Sequence, residues 1–143
     1  MKFKLLTVFL LLSAYGRAQN LSIIPQPQSI NRLEGQFYLN NRTTIGTADT
    51  SLLTLVGYFQ KEVHKAKNVA LVQNIGPGSL IDLKLDSSPQ TTGAYTLDVT
   101  PEHITVSSSN KDGVFYGLMT LLQLIKNQQA DNDNNICLQA CKI

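Results

Sequence analysis

Gly93-Ala94-Tyr95-Thr96-Leu97-Asp98-Val99, Thr100-Pro101-Glu102-His103, Ile104-Thr105-Val106-Ser107 and Asp112-Gly113-Val114-Phe115-Tyr116-Gly117-Leu118-Met119-Thr120-Leu121-Leu122-Gln123-Leu124-Ile125 make up a nearly continuous run. Its first part alternates. Tyr95, Leu97 and Val99 share one face, and Thr96 and Asp98 share the other, which is the period of a half-buried strand. Thr100 to His103 is a turn with proline at a favoured position. Ile104 and Val106 then resume the alternation, so the two segments read as an antiparallel hairpin. From near Asp112 the period becomes helical, and that carboxylate suits a helix start by cap chemistry and by the dipole.

The apolar arc of this helix is wide: Val114, Phe115, Leu118, Met119, Leu121, Leu122 and Ile125. Such an arc needs cover on more than one side. The sheet would supply one side, and a partner domain is expected on the other. Gly113 and Gly117 are four apart and lie on one helix face. Each costs about 1 kcal/mol of helix propensity relative to alanine. Close approach of the helix backbone to the sheet is the expected compensation.

Upstream, Gly35-Gln36-Phe37-Tyr38-Leu39 and Thr43-Thr44-Ile45-Gly46 read as short strands separated by Asn40-Asn41 turn chemistry. Asp49-Thr50-Ser51 offers caps for a helix whose apolar face is Leu52, Leu55, Val56, Phe59 and Val63. Lys61, Lys65 and Lys67 gather where positive charge favours the helix end, and Asn68 stops it. Val69 to Ile75 reads as a strand or an ordered loop, and Gly76-Pro77-Gly78 breaks the chain. Ile81, Leu83 and Leu85 alternate with Asp82 and Lys84 as a strand. Ser87 to Gly93 is a polar loop, as is Asn127 to Asn135. Ile136 to Ile143 reads as a last strand.

The first residues have another purpose. Met1-Lys2-Phe3-Lys4 is positive, Leu5 to Ala14 is apolar, and Gly16-Arg17-Ala18 has small residues at a cleavage site, so 1–18 is expected to be a secretory signal peptide. The apolar run falls short of the ~20 residues that span a bilayer. After cleavage no membrane span is expected, and residues 19–143 form one domain of ordinary size. Export to the periplasm or the extracellular space follows. The net charge of +2 includes Lys2, Lys4 and Arg17, so the mature chain is near −1. Neither nucleic-acid binding nor attraction to a membrane surface is expected from that balance.

No constellation in the sequence carries chemistry. The carboxylates Glu34, Asp49, Glu62, Asp82, Asp86, Asp98, Glu102, Asp112, Asp131 and Asp133 fall at strand edges, helix ends and loops, where solvated side chains and caps are the ordinary reading. His64 lies on a polar helix side and His103 in a turn, with no zincin spacing. Ser107-Ser108-Ser109 reads as a polar strand end without a nearby base. Cys137 and Cys141, four apart on an extended strand, would be ~13 Å apart, beyond the ~7 Å reach of a disulfide. They read as small apolar strand residues, with redox state left open and too few ligands for zinc. No catalytic, cofactor-binding or metal-binding residue is expected. Asn20-Leu21-Ser22 and Asn41-Arg42-Thr43 match the glycosylation sequon, a pattern that matters only in a eukaryotic secretory pathway. Tyr95 is read as core, Tyr116 as part of a buried helix, and few exposed aromatics are expected.

The hairpin and the Asp112-Gly113-Val114-Phe115-Tyr116-Gly117 to Leu121-Leu122-Gln123-Leu124 helix, with the opening Ile24-Pro25-Gln26-Pro27, resemble the small domain that precedes the catalytic barrel in family 20 glycoside hydrolases, the β-N-acetylhexosaminidases. The resemblance implies an α+β fold, an antiparallel sheet with two helices packed on one face. It implies a parent enzyme that removes terminal N-acetylhexosamine from amino-sugar glycans, with the substrate's own acetamido group as nucleophile. It also implies that the acidic pair and the sugar-holding arginine lie in the barrel, the partner domain. Relatives carry proline where Gln139 stands and an aliphatic residue near Cys141. The chain is expected to end before the barrel and to be inactive alone. Alternative readings are a free-standing carbohydrate-binding module and a module that docks on a separately encoded barrel.

Overall fold

The computed structural model describes residues 29–87, 91 and 93–143. The expected signal peptide, the Pro25-Gln26-Pro27 opening and the sequon at Asn20 lie outside the described residues. In chain order the elements are β1 (Asn31–Leu39), β2 (Thr44–Thr47), a 3-10 turn (Thr50–Leu52), α1 (Leu53–Lys67), β3 (Val72–Ile75), β4 (Ile81–Leu85), β5 (Thr96–Val99), β6 (Ile104–Ser108), α2 (Lys111–Lys126) and β7 (Ile136–Lys142).

The strands form one seven-stranded sheet in the order β1-β7-β5-β6-β4-β2-β3. The hairpin is present: β5 and β6 pair antiparallel with Leu97 opposite Val106. Thr100 ties its turn, its Oγ1 donating to the His103 carbonyl at 2.9 Å and accepting the His103 N–H at 3.0 Å. The expected antiparallel sheet needs correction, because only β1, β7, β5 and β6 run antiparallel. β6, β4, β2 and β3 are parallel neighbours. The cause is the connection between β2 and β3, which includes α1. A helical crossover returns the chain to the edge it left, so the next strand runs in the same direction.

α1 begins through the 3-10 turn, where Asp49 Oδ1 accepts the Ser51 N–H at 2.9 Å. The Ser51 side chain first, and then this backbone bond, hold the Asp49 carboxyl below the usual carboxylate range. It ends at Asn68 in the left-handed conformation (φ 55°), a stop asparagine tolerates well. Leu52, Val56, Phe59 and Val63 are fully buried.

α2 is capped by Asn110, not by Asp112: Asn110 Oδ1 accepts the Gly113 N–H at 2.9 Å. Asp112 sits in the first turn and contributes through the dipole alone. The wide apolar arc is covered within the chain, since α2 packs on the sheet and on α1. No missing partner is needed to bury Val114, Leu118, Leu121, Leu122 and Ile125. The two glycines do touch the sheet. A Cβ on Gly113 would lie 2.0 Å from Ser108 Oγ, and one on Gly117 would lie 2.5 Å from Val106 Cγ1.

Sheet residues Leu39, Ile45, Ile81, Leu83, Leu97, Val99, Ile104, Val106, Ile136 and Leu138 complete the core. Leu85, expected to share this face, is 41% exposed because it lies at the strand end. β1 breaks its register against β7 between Arg32 and Gln36. Gly35 (φ 94°) sits in this bulge, where a Cβ would meet Pro101 Cγ at 2.5 Å. Gln139, in the place where proline is expected, donates its amide to the Leu33 and Gly35 carbonyls at 2.7 and 3.0 Å.

Candidate functional site

The helix-free face of the sheet is where the fold gathers polar side chains. Strand alternation places residues between the core positions there. Asp82 and Asp98 both lie opposite Thr105, on either side of it, so the two acids are two strands apart. Neighbouring strands are ~4.8 Å apart, so their backbones are separated by about 10 Å. These two acids are not at strand edges or in loops, as expected, but inside central strands. Asp82 Oδ2 meets Lys84 Nζ at 3.3 Å. Asp98 Oδ1 is buried without a hydrogen-bond partner among the described residues. Thr96 and Ser107 join their hydroxyls at 2.6 Å beside them.

Asp82 is held by a lysine two residues along its own strand. The remaining acids are dispersed. Asp131 accepts the side-chain amide and the backbone N–H of Asn135, which lowers its carboxyl below the usual range. Asp49 caps the 3-10 turn. Glu34, Asp86, Glu102, Asp112 and Asp133 are exposed, and Glu62 is half-buried. His64 and His103 are exposed, on different elements. Among the described residues no group of three or more His, Cys, Asp or Glu side chains could hold a metal ion. Among them, too, no helix is long and apolar enough to cross a membrane.

Ser108 is the last residue of β6, in the polar strand end read from the sequence. It is fully buried, and its Oγ donates to the Ala94 carbonyl at 2.6 Å. Tyr95 is half-buried against the core, as read, with its hydroxyl 2.7 Å from Thr120 Oγ1. Tyr116, read as part of a buried helix, is 51% exposed, and Tyr38 and Tyr58 are exposed as well. The sequence contains no signal for this, since a helical arc shows which residues are apolar but not where the cover ends.

Cys137 and Cys141 are free. Cys137 is half-buried opposite the exposed Tyr38, whereas Cys141 is buried opposite Val99 and joins the core. Four residues apart on a regular strand they would share a face, but the alternation of β7 breaks where β1 bulges. Burial first, then the nearby Asp98 carboxylate, pushes the Cys141 thiol up, with Arg32 opposing. Only a thiolate reacts quickly. The expected result is therefore that iodoacetamide at neutral pH modifies Cys137 in the native chain and leaves Cys141 unmodified until the chain unfolds. Peptide mass mapping over time checks this, and equal rates at the two sites would contradict the burial.

The architecture defines a small α+β domain, one seven-stranded sheet with two helices packed against it. The particular family follows from the sequence. The chain belongs to glycoside hydrolase family 20, its residues 20–143 matching the profile described as Glycosyl hydrolase family 20, domain 2. It is 30% identical over 118 residues to a β-hexosaminidase of Vibrio furnissii, covering 82% of this chain and 18% of that one. A β-hexosaminidase of Porphyromonas gingivalis (strain ATCC BAA-308 / W83) is 23% identical over 124 residues, covering 84% of this chain and 16% of the relative. Among solved structures, the family 20 β-N-acetylhexosaminidase of Streptomyces coelicolor A3(2) superposes with a TM-score of 0.73 at 22% identity, over 85% of this chain and 25% of that one. The family 20 exo-β-N-acetylglucosaminidase of Vibrio harveyi gives 0.72 at 20% identity, over 83% and 18%. The chain thus spans less than a fifth of the length of the curated relatives it matches.

Proposed function

We propose that this chain is the N-terminal module of an exported β-N-acetylhexosaminidase, an enzyme that releases terminal N-acetylhexosamine residues from glycans, and that the module itself does not hydrolyse them. The observation that carries this reading is the family match across residues 20–143. The placement of the acids supports it. Family 20 chemistry uses the substrate's acetamido group as nucleophile, which requires groups that orient that amide and protonate the leaving oxygen around an enclosed sugar. Asp82 and Asp98 instead lie on one face of a sheet, one of them paired with Lys84. The charged n-region and apolar stretch of residues 1–14 support export to the periplasm or beyond.

The purified chain is expected to give no release of nitrophenol from p-nitrophenyl-N-acetyl-β-D-glucosaminide above a buffer blank. Turnover that survives further purification, and that falls in an Asp98→Asn variant, would overturn the assignment of a non-catalytic role.

A further inference from the structure

We propose that β1 is a releasable strap. It lifts off the outer edge of β7 while the rest of the sheet stays folded, and the side chain of Gln139 is the latch that holds it down.

Among the described residues β1 has a single neighbour in the sheet, β7. That strand is also the only described element against which β1 packs extensively. The turn after β1 leads to β2, but β7, β5, β6 and β4 stand between the two, so the strand that follows in the sequence gives β1 no ladder. Asn31 to Gln36 are exposed, and within the strand only Phe37 and Leu39 reach the core. Ile30, just before it, adds one partly buried contact. Five other strands and both helices supply the remainder of that core. A segment with so few buried apolar contacts opens at a lower free energy than the core does.

The ladder of β1 is also interrupted. Arg32 pairs with Cys141 and Gln36 with Gln139, so Leu33, Glu34 and Gly35 face Ala140 alone. Residues in a bulge are left off the ladder. Gln139 spans the gap, its amide nitrogen donating to the Leu33 carbonyl at 2.7 Å and to the Gly35 carbonyl at 3.0 Å. Both hydrogens of one side-chain amide are used in this way. Gly35 rests against the β5–β6 turn, where a Cβ would lie 2.5 Å from Pro101 Cγ.

The hinge lies at the other end of the strand. Asn40 Nδ2 donates to Asn135 Oδ1 at 3.1 Å, and the Asn40 carbonyl accepts the Thr43 N–H at 3.0 Å. Thr43 is buried and stays with β2, whereas Asn41 and Arg42 are exposed and free to swing. When β1 lifts, β7 is kept in place by its pairing with Asp98 and Val99, by the backbone bonds between Ile143 and Leu97, and by the buried Ile136, Leu138, Ala140 and Cys141. Its outer edge then presents N–H and C=O groups that an extended segment can pair with, a surface that the closed molecule does not offer.

The test is residue-resolved amide hydrogen exchange of the purified chain. Protected amides among Gln36 to Leu39, on the unbroken side of the bulge, are expected to exchange roughly tenfold or more faster than those of Ile104 to Val106 in the central strand. Their rate is expected to rise less steeply with urea, because a small opening exposes little surface. Gln139→Ala removes two hydrogen bonds and is expected to speed exchange at 36–39 about tenfold further, with 104–106 unchanged. Gln139→Glu sets a carboxylate against two carbonyls. With rates corrected for their intrinsic pH dependence, this variant is expected to hold the strap at low pH, where the protonated acid donates one bond, and to release it as pH rises through the carboxyl range. A role in packing alone would not titrate. The comparison within the unaltered chain stands even where a variant fails to fold. If β1 and β6 exchange at one rate with one urea dependence, β1 opens only with the whole chain and the proposal is overturned. If β1 opens separately and neither variant changes its rate, Gln139 is not the latch.

Discussion

Replacing Gly113 by alanine is expected to destabilise the chain by about 3 kcal/mol, while the same replacement at Gly57 is expected to stabilise it by about 0.5–1 kcal/mol. Both glycines lie inside helices, so propensity favours alanine equally at each. The difference lies in what the methyl group meets. At Gly113 it would fall 2.0 Å from Ser108 Oγ and 2.5 Å from the Ala94 carbonyl oxygen. Those two atoms are joined by a 2.6 Å hydrogen bond, and Ser108 is fully buried. The serine cannot rotate away without leaving the Ala94 carbonyl unpaired, and the carbonyl belongs to the chain entering β5. Overpacking costs ~1–3 kcal/mol and a broken buried hydrogen bond about as much again, against a propensity gain of ~1 kcal/mol. At Gly57 the methyl group meets nothing within 4 Å among the described residues. For a domain of this size 1 kcal/mol moves the melting temperature by about 4 °C. Thermal unfolding followed by circular dichroism should therefore show a fall of about 12 °C and a rise of about 3 °C respectively. Shifts of the same sign at the two positions would mean that α2 does not sit on the sheet as described.

Phe59→Ala is expected to cost about 4 kcal/mol, and Phe115→Ala about 1 kcal/mol. Phe59 is fully buried where α1 meets the sheet and α2. Its removal leaves a cavity in the packed core, and such a site collapses only in part. Phe115 lies half-buried between Tyr58 and Tyr116, and its loss lets two flexible tyrosines close the gap. A domain of this size has roughly 6–17 kcal/mol in total, so Phe59→Ala removes a large share of it. Urea unfolding should show a much lower midpoint with an unchanged slope. A Phe59→Ala midpoint as high as that of Phe115→Ala would place the core elsewhere.

The contrast between these two phenylalanines shows how much of the molecule was legible beforehand. Each belongs to an apolar stripe of helical period. For α1 the stripe of Leu52, Val56, Phe59 and Val63 is the buried face. For α2 the stripe is wider than the burial, and Phe115 and Tyr116 lie beyond its edge. The second cover that the wide arc calls for is supplied in good part by α1. A stripe reports hydrophobicity, whereas burial also depends on where the covering element stops. The polar face was harder to read still. Asp82 and Asp98 are 16 residues apart in the chain, and their shared neighbour Thr105 became visible only with the strand order.

What the sequence determined by itself was local. Alternation defined the β5–β6 hairpin, helical spacing defined α1 and α2, Asn68 ended one helix, and the spacing of Gly113 and Gly117 foretold the contact with the sheet. Each of these depends on residues within a few positions of one another, where backbone geometry restricts the outcome. Tertiary structure alone decided that half the sheet is parallel, that Asn110 and not Asp112 caps α2, that Ser108 is buried, and that Cys137 and Cys141 face opposite ways. A strand's pattern specifies which side it buries but not which strand lies beside it. That choice rests on contacts between residues far apart in sequence, such as those of the two helices with the sheet.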